Sequence, residues 1–280
     1  MPSNRARVIL STLVSLIVGL AGGVAFAGGV VGPTEKDTIG IFQATSTFLL
    51  GSTNSASAVL TSVSFGPSGA VPAMGDFDGN GTTTVGAYSP SLGEFFQRNS
   101  NTEGNAQTRF RFGSTNSTFA PIVGNWNGAG GQSIGLYNAV AGKFLLRNTN
   151  SSGVADLQTS FGPKNASPAL IPIVGNWSGV GTTDGIGLYN PTTGQFLLKN
   201  DPTTGGPADF SFRFGASGQG YLPVVGNWND DTTDTIGLYD PATRTYFLRN
   251  TNSSGNADLV FKVGPQAASN KPIAGNYDGN

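Results

Sequence analysis

Oxygen-bearing side chains fall on alternate residues at Asp76, Asp78 and Asn80 in the stretch Asp76–Thr84, DFDGNGTTT. Gly81 follows at the sixth position of this stretch and the carbonyl of Thr82 at the seventh. This is the spacing of a calcium loop: the ion takes about six to eight hard oxygens, and alternate residues of a tight turn point inward at one centre. Asp76, Asp78 and Asn80 are the expected ligands, with the Thr82 carbonyl and a hydroxyl of Thr83 or Thr84 as weaker oxygens. No closing acid follows, so two carboxylates carry the charge and weak binding is expected.

Two further sets share part of this pattern. One is Asn227, Asn229, Asp231 and Asp234, where Asp230 takes the place of the usual glycine. The other is a seam between the chain ends, in which Asn276, Asp278 and Asn280 would be completed by Asp37. An ion there would clip two distant segments together and stabilise the closed state by mass action. The corresponding stretch at Asn125 has no acid and the one at Asn176 retains Asp184 alone. Those two read as Asx turns, in which the side-chain oxygen accepts backbone N–H groups and no ion is needed. The same ion-free reading is the alternative for the other three.

The elements that must position these loops form a repeat. Gly75, Gly124, Gly175, Gly226 and Gly275 anchor five copies of one sentence, such as PIVGNWNGAGGQSIGLYN from Pro121, at intervals of about fifty residues. In the copy from Pro172, four short runs rich in Val, Ile, Phe and Tyr are bounded by turn residues: Pro172–Trp177, Ile186–Asn190, Gln195–Asn200 and Ala208–Gly215. Phe210, Phe212 and Phe214 alternate with Ser211 and Arg213, the period-two signature of a strand with one drier face. No helical apolar period appears after the N-terminal segment, so an all-β protein is expected. Four antiparallel strands per copy is the sheet unit of a β-propeller, with a linear β-solenoid as the competitor. The ends decide between them. The repeats begin at a second strand, Asp37–Phe42, and finish after a first strand, Lys271–Tyr277, so the terminal fragments together make one unit. The expectation is a five-bladed propeller over residues 28–280, closed by pairing of its N- and C-terminal strands.

Other polar residues recur in register. Arg98-Asn99, Arg147-Asn148, Lys199-Asn200 and Arg249-Asn250 follow the third strand of their copies. They would form either a ring for sugars or anions, or a frame in which Asn opens the turn and the cation bonds to a carbonyl; the frame is expected. Trp126, Trp177 and Trp228, with Phe77 and Tyr277 at matching places, are expected to pack between blades and not to serve as sugar platforms. The sequons at Asn150 and Asn252 mark surface loops.

Composition narrows the function classes. The chain has no His and no Cys, so the usual proton-transfer side chain and the thiol nucleophile are both missing, as are disulfides. A net charge of −1 without a basic run argues against a nucleic-acid surface. Most acids recur in repeated loops, among them Asp156, Asp209 and Asp258, while Glu35, Glu94 and Glu103 read as exposed; no copy is singled out as an active site. An enzyme is therefore not expected. Arg5 and Arg7, an apolar run Val8–Val24 and the small-x-small site Ala25-Phe26-Ala27 make a secretory signal peptide over residues 1–27. An uncleaved anchor is the alternative. Cleavage would remove two positive charges and leave −3 on a secreted, monomeric chain.

The stretch GDFDGNGTTTVGAYSP, followed by an aromatic strand and then Phe112-Gly113, resembles the FG-GAP and VCBS-type repeats of bacterial secreted proteins, relatives of the calcium-loop blades of the integrin α-chain propeller. The resemblance covers all five copies. It implies a propeller, calcium in the inter-strand loops and a role in adhesion or display of a binding surface. Function is thus expected to be non-enzymatic binding of a protein or cell-surface partner, with multivalent lectin-like glycan binding as the alternative and a polysaccharide-active enzyme behind both.

Overall fold

The computed structural model describes residues 36–279. The expected signal segment, 1–27, and Asn280 of the expected seam set lie outside them. Among the described residues there is no helix, and twenty strands form five four-stranded antiparallel sheets. The chain enters through β1 (Thr38–Gln43), β2 (Thr47–Gly51) and β3 (Leu60–Ser64). Three blades follow as β4 (Val71–Pro72), β5 (Gly86–Ser89), β6 (Glu94–Gln97) and β7 (Thr108–Arg111); β8 (Ala120–Gly124), β9 (Ser133–Asn138), β10 (Lys143–Leu146) and β11 (Leu157–Ser160); and β12 (Ile171–Gly175), β13 (Gly185–Asn190), β14 (Gln195–Lys199) and β15 (Phe210–Arg213). The last full blade is β16 (Leu222–Gly226), β17 (Thr235–Asp240), β18 (Thr245–Leu248) and β19 (Leu259–Lys262), and β20 (Lys271–Gly275) ends the series.

β20 pairs antiparallel with β1, from Thr38 opposite Gly275 to Phe42 opposite Lys271. The first blade is therefore β20-β1-β2-β3, built from both ends of the chain, and the ring of five blades closes as expected from the half-copies. Four of the first strands stop at the glycine, earlier than the apolar run suggests, and β4 stops at Pro72, with Gly75 reduced to an isolated bridge to Thr84. After Gly124 the chain leaves the sheet and Trp126 folds back beside it, 2% exposed, donating its indole N–H to the Ile134 carbonyl at 3.2 Å. Trp177 and Trp228 do the same toward Ile186 and Ile236, at 3.2 and 3.3 Å. The tryptophans are packing, as their parity suggests.

The core lies in the seams between blades. Ile173, Trp177, Tyr189 and Phe196 of the fourth blade pack with Ile236 and Leu238 of the fifth, and Ile39 and Ile41 of the first pack with Trp228 and Tyr246 of the fifth. Each second strand is thus buried on both faces, which is why its sequence reads as an unbroken IGLY run rather than an alternation. A cross-strand aromatic pair recurs in every blade, with ring centroids 4.8 Å apart for Phe42–Phe48, 4.7 Å for Tyr88–Phe95 and Tyr189–Phe196, and 4.6 Å for Tyr137–Phe144 and Tyr239–Tyr246. Such pairs contribute roughly 0.5–1.5 kcal/mol each beyond their area.

The anchoring glycines exist for close approach. A Cβ on Gly124 would lie 2.7 Å from the Trp126 ring and 2.7 Å from Val174 of the next blade. Closure by β20 also carries a direct expectation. A chain ending at Asn270 would leave β1 without its inner neighbour and expose Ile39 and Ile41. We expect it to lose the single cooperative thermal transition of the full chain, followed by tryptophan fluorescence; an unchanged transition would show that closure contributes little.

Candidate functional site

The inner strands line a central channel with a cavity of about 170 Å³, to which every blade contributes. At the glycine end of these strands sits a ring of polar side chains, one per blade: Asp37, Thr83, Gln132, Asp184 and Asp234. Each stands two residues before the first apolar residue of its second strand, so the repeat places all five at one level.

These residues clasp one blade to the one before it. The Gln132 N–H donates to the Asp76 carbonyl at 2.6 Å, Asp184 to Asn125 at 2.8 Å, Asp234 to Asn176 at 3.0 Å, Asp37 to Asn227 at 2.9 Å and Thr83 to Asn276 at 2.7 Å. In four seams the ring side chain answers by accepting the N–H of that same preceding residue. Asp76 donates to Gln132 Oε1 at 3.0 Å, and Asn125, Asn176 and Asn227 donate to the carboxylates of Asp184, Asp234 and Asp37 at 2.8, 2.7 and 2.9 Å. In four blades the ring residue's own carbonyl is tied down by an asparagine of its own blade: Asn54 Nδ2 to Asp37 at 2.8 Å, and Asn101, Asn150 and Asn252 to Thr83, Gln132 and Asp234 at 2.9, 2.9 and 2.8 Å. Asn150 and Asn252 are the sequon asparagines; their amide nitrogens serve this frame, and the sequence reading of them as loop markers missed it.

The expected calcium sets fall as follows. The Asp76 loop is closed by its own hydrogen bonds: Asp76 Oδ1 accepts from Gly79 and Asn80 at 2.8 and 3.0 Å, and Oδ2 from Gly81 at 2.9 Å. Asn80 Oδ1 accepts the Thr82 N–H at 2.8 Å, and the buried Thr84 hydroxyl donates to the Gly75 carbonyl at 3.2 Å, away from the loop. Asp78 is exposed. In the fifth blade Asn227 and Asp231 bond to each other, Asn229 Nδ2 donates to Asp231 Oδ2 at 2.8 Å, and Asp231 Oδ1 accepts from Thr233 at 2.7 Å. Asp234 and Asp37 each hold an N–H of a neighbouring blade: Asp234 that of Asn176 and Asp37 that of Asn227, while Asn276 accepts from the Thr83 N–H and donates to the Gly81 carbonyl at 3.1 Å. Among the described residues no three acidic side chains gather at one point. The donor set fits calcium poorly: Asp76, Asn80 and Asp231 already hold backbone N–H groups, the Asp76 loop offers two carboxylates, and in the fifth-blade loop Asp234 accepts from Asn176, which leaves Asp230 and Asp231. Asp230 occupies a left-handed position, φ 63°, held by glycine in the other loops, including Gly79 at φ 74°.

The cations after the third strand serve the frame as expected. Arg147 donates Nε to the Ser151 carbonyl at 2.8 Å, Nη1 to Val154 at 2.7 Å and Nη2 to Ser152 at 2.8 Å. Arg249 repeats the cage with Ser253, Ser254 and Asn256, and Lys199 donates to Pro207 at 3.3 Å. The acids Asp156, Asp209 and Asp258 accept the N–H groups of Asn148, Asn200 and Asn250 at 2.8, 2.8 and 2.7 Å. Blade two differs in its outer strands, where Glu94 pairs with Arg109 at 2.7 Å and the Arg109 guanidinium lies over the Phe96 ring.

The ring at the channel mouth is electrostatically unfavourable when charged. Burial, with Asp234 nearby, pushes the Asp184 carboxyl up to about 7, and burial, with Asp231 nearby, pushes Asp234 up to about 6. A carboxyl whose folded-state pKa is raised favours the fold while protonated and loses that contribution as pH rises through the raised value. Gln132 shows that a neutral amide oxygen performs the same clasp. Thermal stability is therefore expected to fall between pH 5 and pH 8, by a melting shift on the order of 5 °C. Asp184→Asn is expected to flatten that slope and raise the melting temperature at pH 8. A flat profile in the parent chain, or a lower melting temperature in the variant at pH 8, would contradict the assignment.

Compared with known proteins, the sequence matches no protein-family model and no curated protein.

Proposed function

We propose that the chain is a secreted, non-enzymatic binding propeller of FG-GAP or VCBS type, presenting its inter-strand loops to a protein on a surface. The support comes from where the repeated polar groups go. Aspartates, asparagines and arginines that recur from blade to blade are engaged in clasps and loop cages, so choice of partner falls to the exposed loop residues that differ between copies. Val154 and Val180, 80% and 77% exposed at loop tips, are such residues. The basic-apolar N-terminal segment supports an extracellular setting.

The multivalent lectin reading has less support. Its repeated aromatic platforms, Trp126, Trp177 and Trp228, are buried, and the Arg147 and Arg249 guanidiniums are occupied by loop carbonyls. Calcium belongs to the proposal only as weak association at Asp76–Thr84.

Two measurements test this reading. Attachment of the labelled protein to cell surfaces is expected to disappear after protease treatment of those surfaces and to survive periodate. Loss with periodate instead, together with saturable binding on a glycan array, would overturn it in favour of the lectin. Melting with calcium against chelator is expected to differ by less than about 2 °C, since binding near the dissociation constant contributes only about RT ln 2. A rise above about 5 °C would restore the calcium-clip reading.

A further inference from the structure

The opposite ends of the inner strands form a second mouth with different chemistry. Each inner strand carries proline there: Pro72, Pro121, Pro172, Pro223 and Pro272. The residue before proline is Val71, Ala120, Ile171 or Leu222 in four blades, and in the first blade it is Lys271. A groove of about 310 Å³ opens at this mouth, lined by Val71, Phe119, Ile171 and three of these prolines, Pro72, Pro121 and Pro172, together with Lys271. That volume is at the lower end of small-molecule pockets, roughly 300–1,000 Å³.

We propose that this groove binds a small organic anion consisting of a carboxylate on an apolar body, with Lys271 holding the carboxylate. Three observations support it independently of the loop-presentation reading. First, no carboxylate lines the groove, and among the described residues the Lys271 side chain makes no ion pair or hydrogen bond. Lys271 is itself solvent-exposed, and partial burial lowers its pKa from the ordinary value, which an arriving carboxylate would reverse. Second, proline has no N–H, so the strand ends offer rings and carbonyls rather than donors. The side-chain donors lining the groove are then the Lys271 ammonium and the hydroxyls of Ser117 and Thr118, of which Ser117 already meets the Tyr88 hydroxyl at 3.3 Å. Third, the cation stands at one side of the mouth and the apolar wall at the other, an asymmetry that suits a ligand with one charged end. A neutral apolar ligand would gain nothing from the exposed ammonium, and a fully polar anion would not use Phe119 or Ile171.

The test uses 4-phenylbutyrate as probe and 4-phenylbutyramide as its neutral counterpart, titrated into the full chain by calorimetry and followed by chemical-shift changes. The carboxylate is expected to bind with a dissociation constant of about 1 mM or tighter. Its amide should bind about tenfold more weakly, the ratio typical of losing a charge-assisted hydrogen bond. Shifts should centre on Thr118, Phe119 and Ile171. Lys271→Met is expected to reduce carboxylate binding to the amide level with an unchanged melting temperature, and Ala120→Trp to block both probes by filling the groove. No binding by about 20 mM, equal binding of acid and amide, or full carboxylate affinity in Lys271→Met would each overturn the proposal. Should Lys271→Met melt lower, Lys271→Arg restores the charge, and its failure to prefer the acid would count equally against it.

Discussion

The structure depends on one exchange of hydrogen bonds across each seam of the ring. A residue two positions before the first apolar residue of the second strand gives its N–H to the preceding blade's Asn or Asp, and in four seams its side chain takes that residue's N–H in return. These backbone groups lie where first strands end and loops begin, so no sheet ladder satisfies them, and leaving them unpaired in a buried seam would cost about 1–3 kcal/mol each. The exchange requires adjacent blades to come very close, which explains the anchoring glycines. At Gly175 a Cβ would stand 2.8 Å from Asp234 and 3.0 Å from Val225 of the next blade. Trp126, Trp177 and Trp228 then cover the glycine and seal the seam.

The same geometry gives the channel two unlike ends. At the clasp end the ring side chains are polar and three are acidic, and burial resists ionisation at two of these, Asp184 and Asp234. The groove at the proline end is lined mainly by apolar residues and prolines, with one cation, Lys271, and the hydroxyls of Ser117 and Thr118. The contrast between the ends comes from the repeat, which sets a polar residue at one end and a proline at the other in every blade. The departures break the equivalence of the blades within each ring: Gln132 and Thr83 in place of aspartate at one end, and Lys271 in place of an aliphatic residue at the other.

Much of this was legible in the sequence and some of it was not. Short β-branched and aromatic runs between turn residues report strands directly, and the half-copies at the two ends report closure, because a ring needs its missing strand from somewhere. Burial of the tryptophans followed from parity with Gly124. The partners of Asp37 and Asp234 were not legible. Spacing within a copy groups Asp234 with Asn227 and Asp231, yet its carboxylate crosses to Asn176 of the blade before. Local spacing cannot reveal which neighbour a side chain meets when two blades approach equally closely. Aligning the copies would have found the signal, a polar residue at one position in all five. Asn150 and Asn252 were obscured in the same way, since a sequon and a frame asparagine share a residue type. Lys271 was visible only as an exception to a hydrophobic column, whose meaning needs the channel.

Amide hydrogen exchange tests the central claim most directly. If the seams close the ring as one cooperative unit, the amides of Asn125, Asn176, Asn227 and Asp37 exchange together, in the slowest class and at the rate of global unfolding. The seam between the chain's two ends should then be indistinguishable from those within it. Fast exchange at Asn227 and Asp37, with Asn125 and Asn176 still protected, would show that the first blade opens on its own and that the ring is not clasped at every seam.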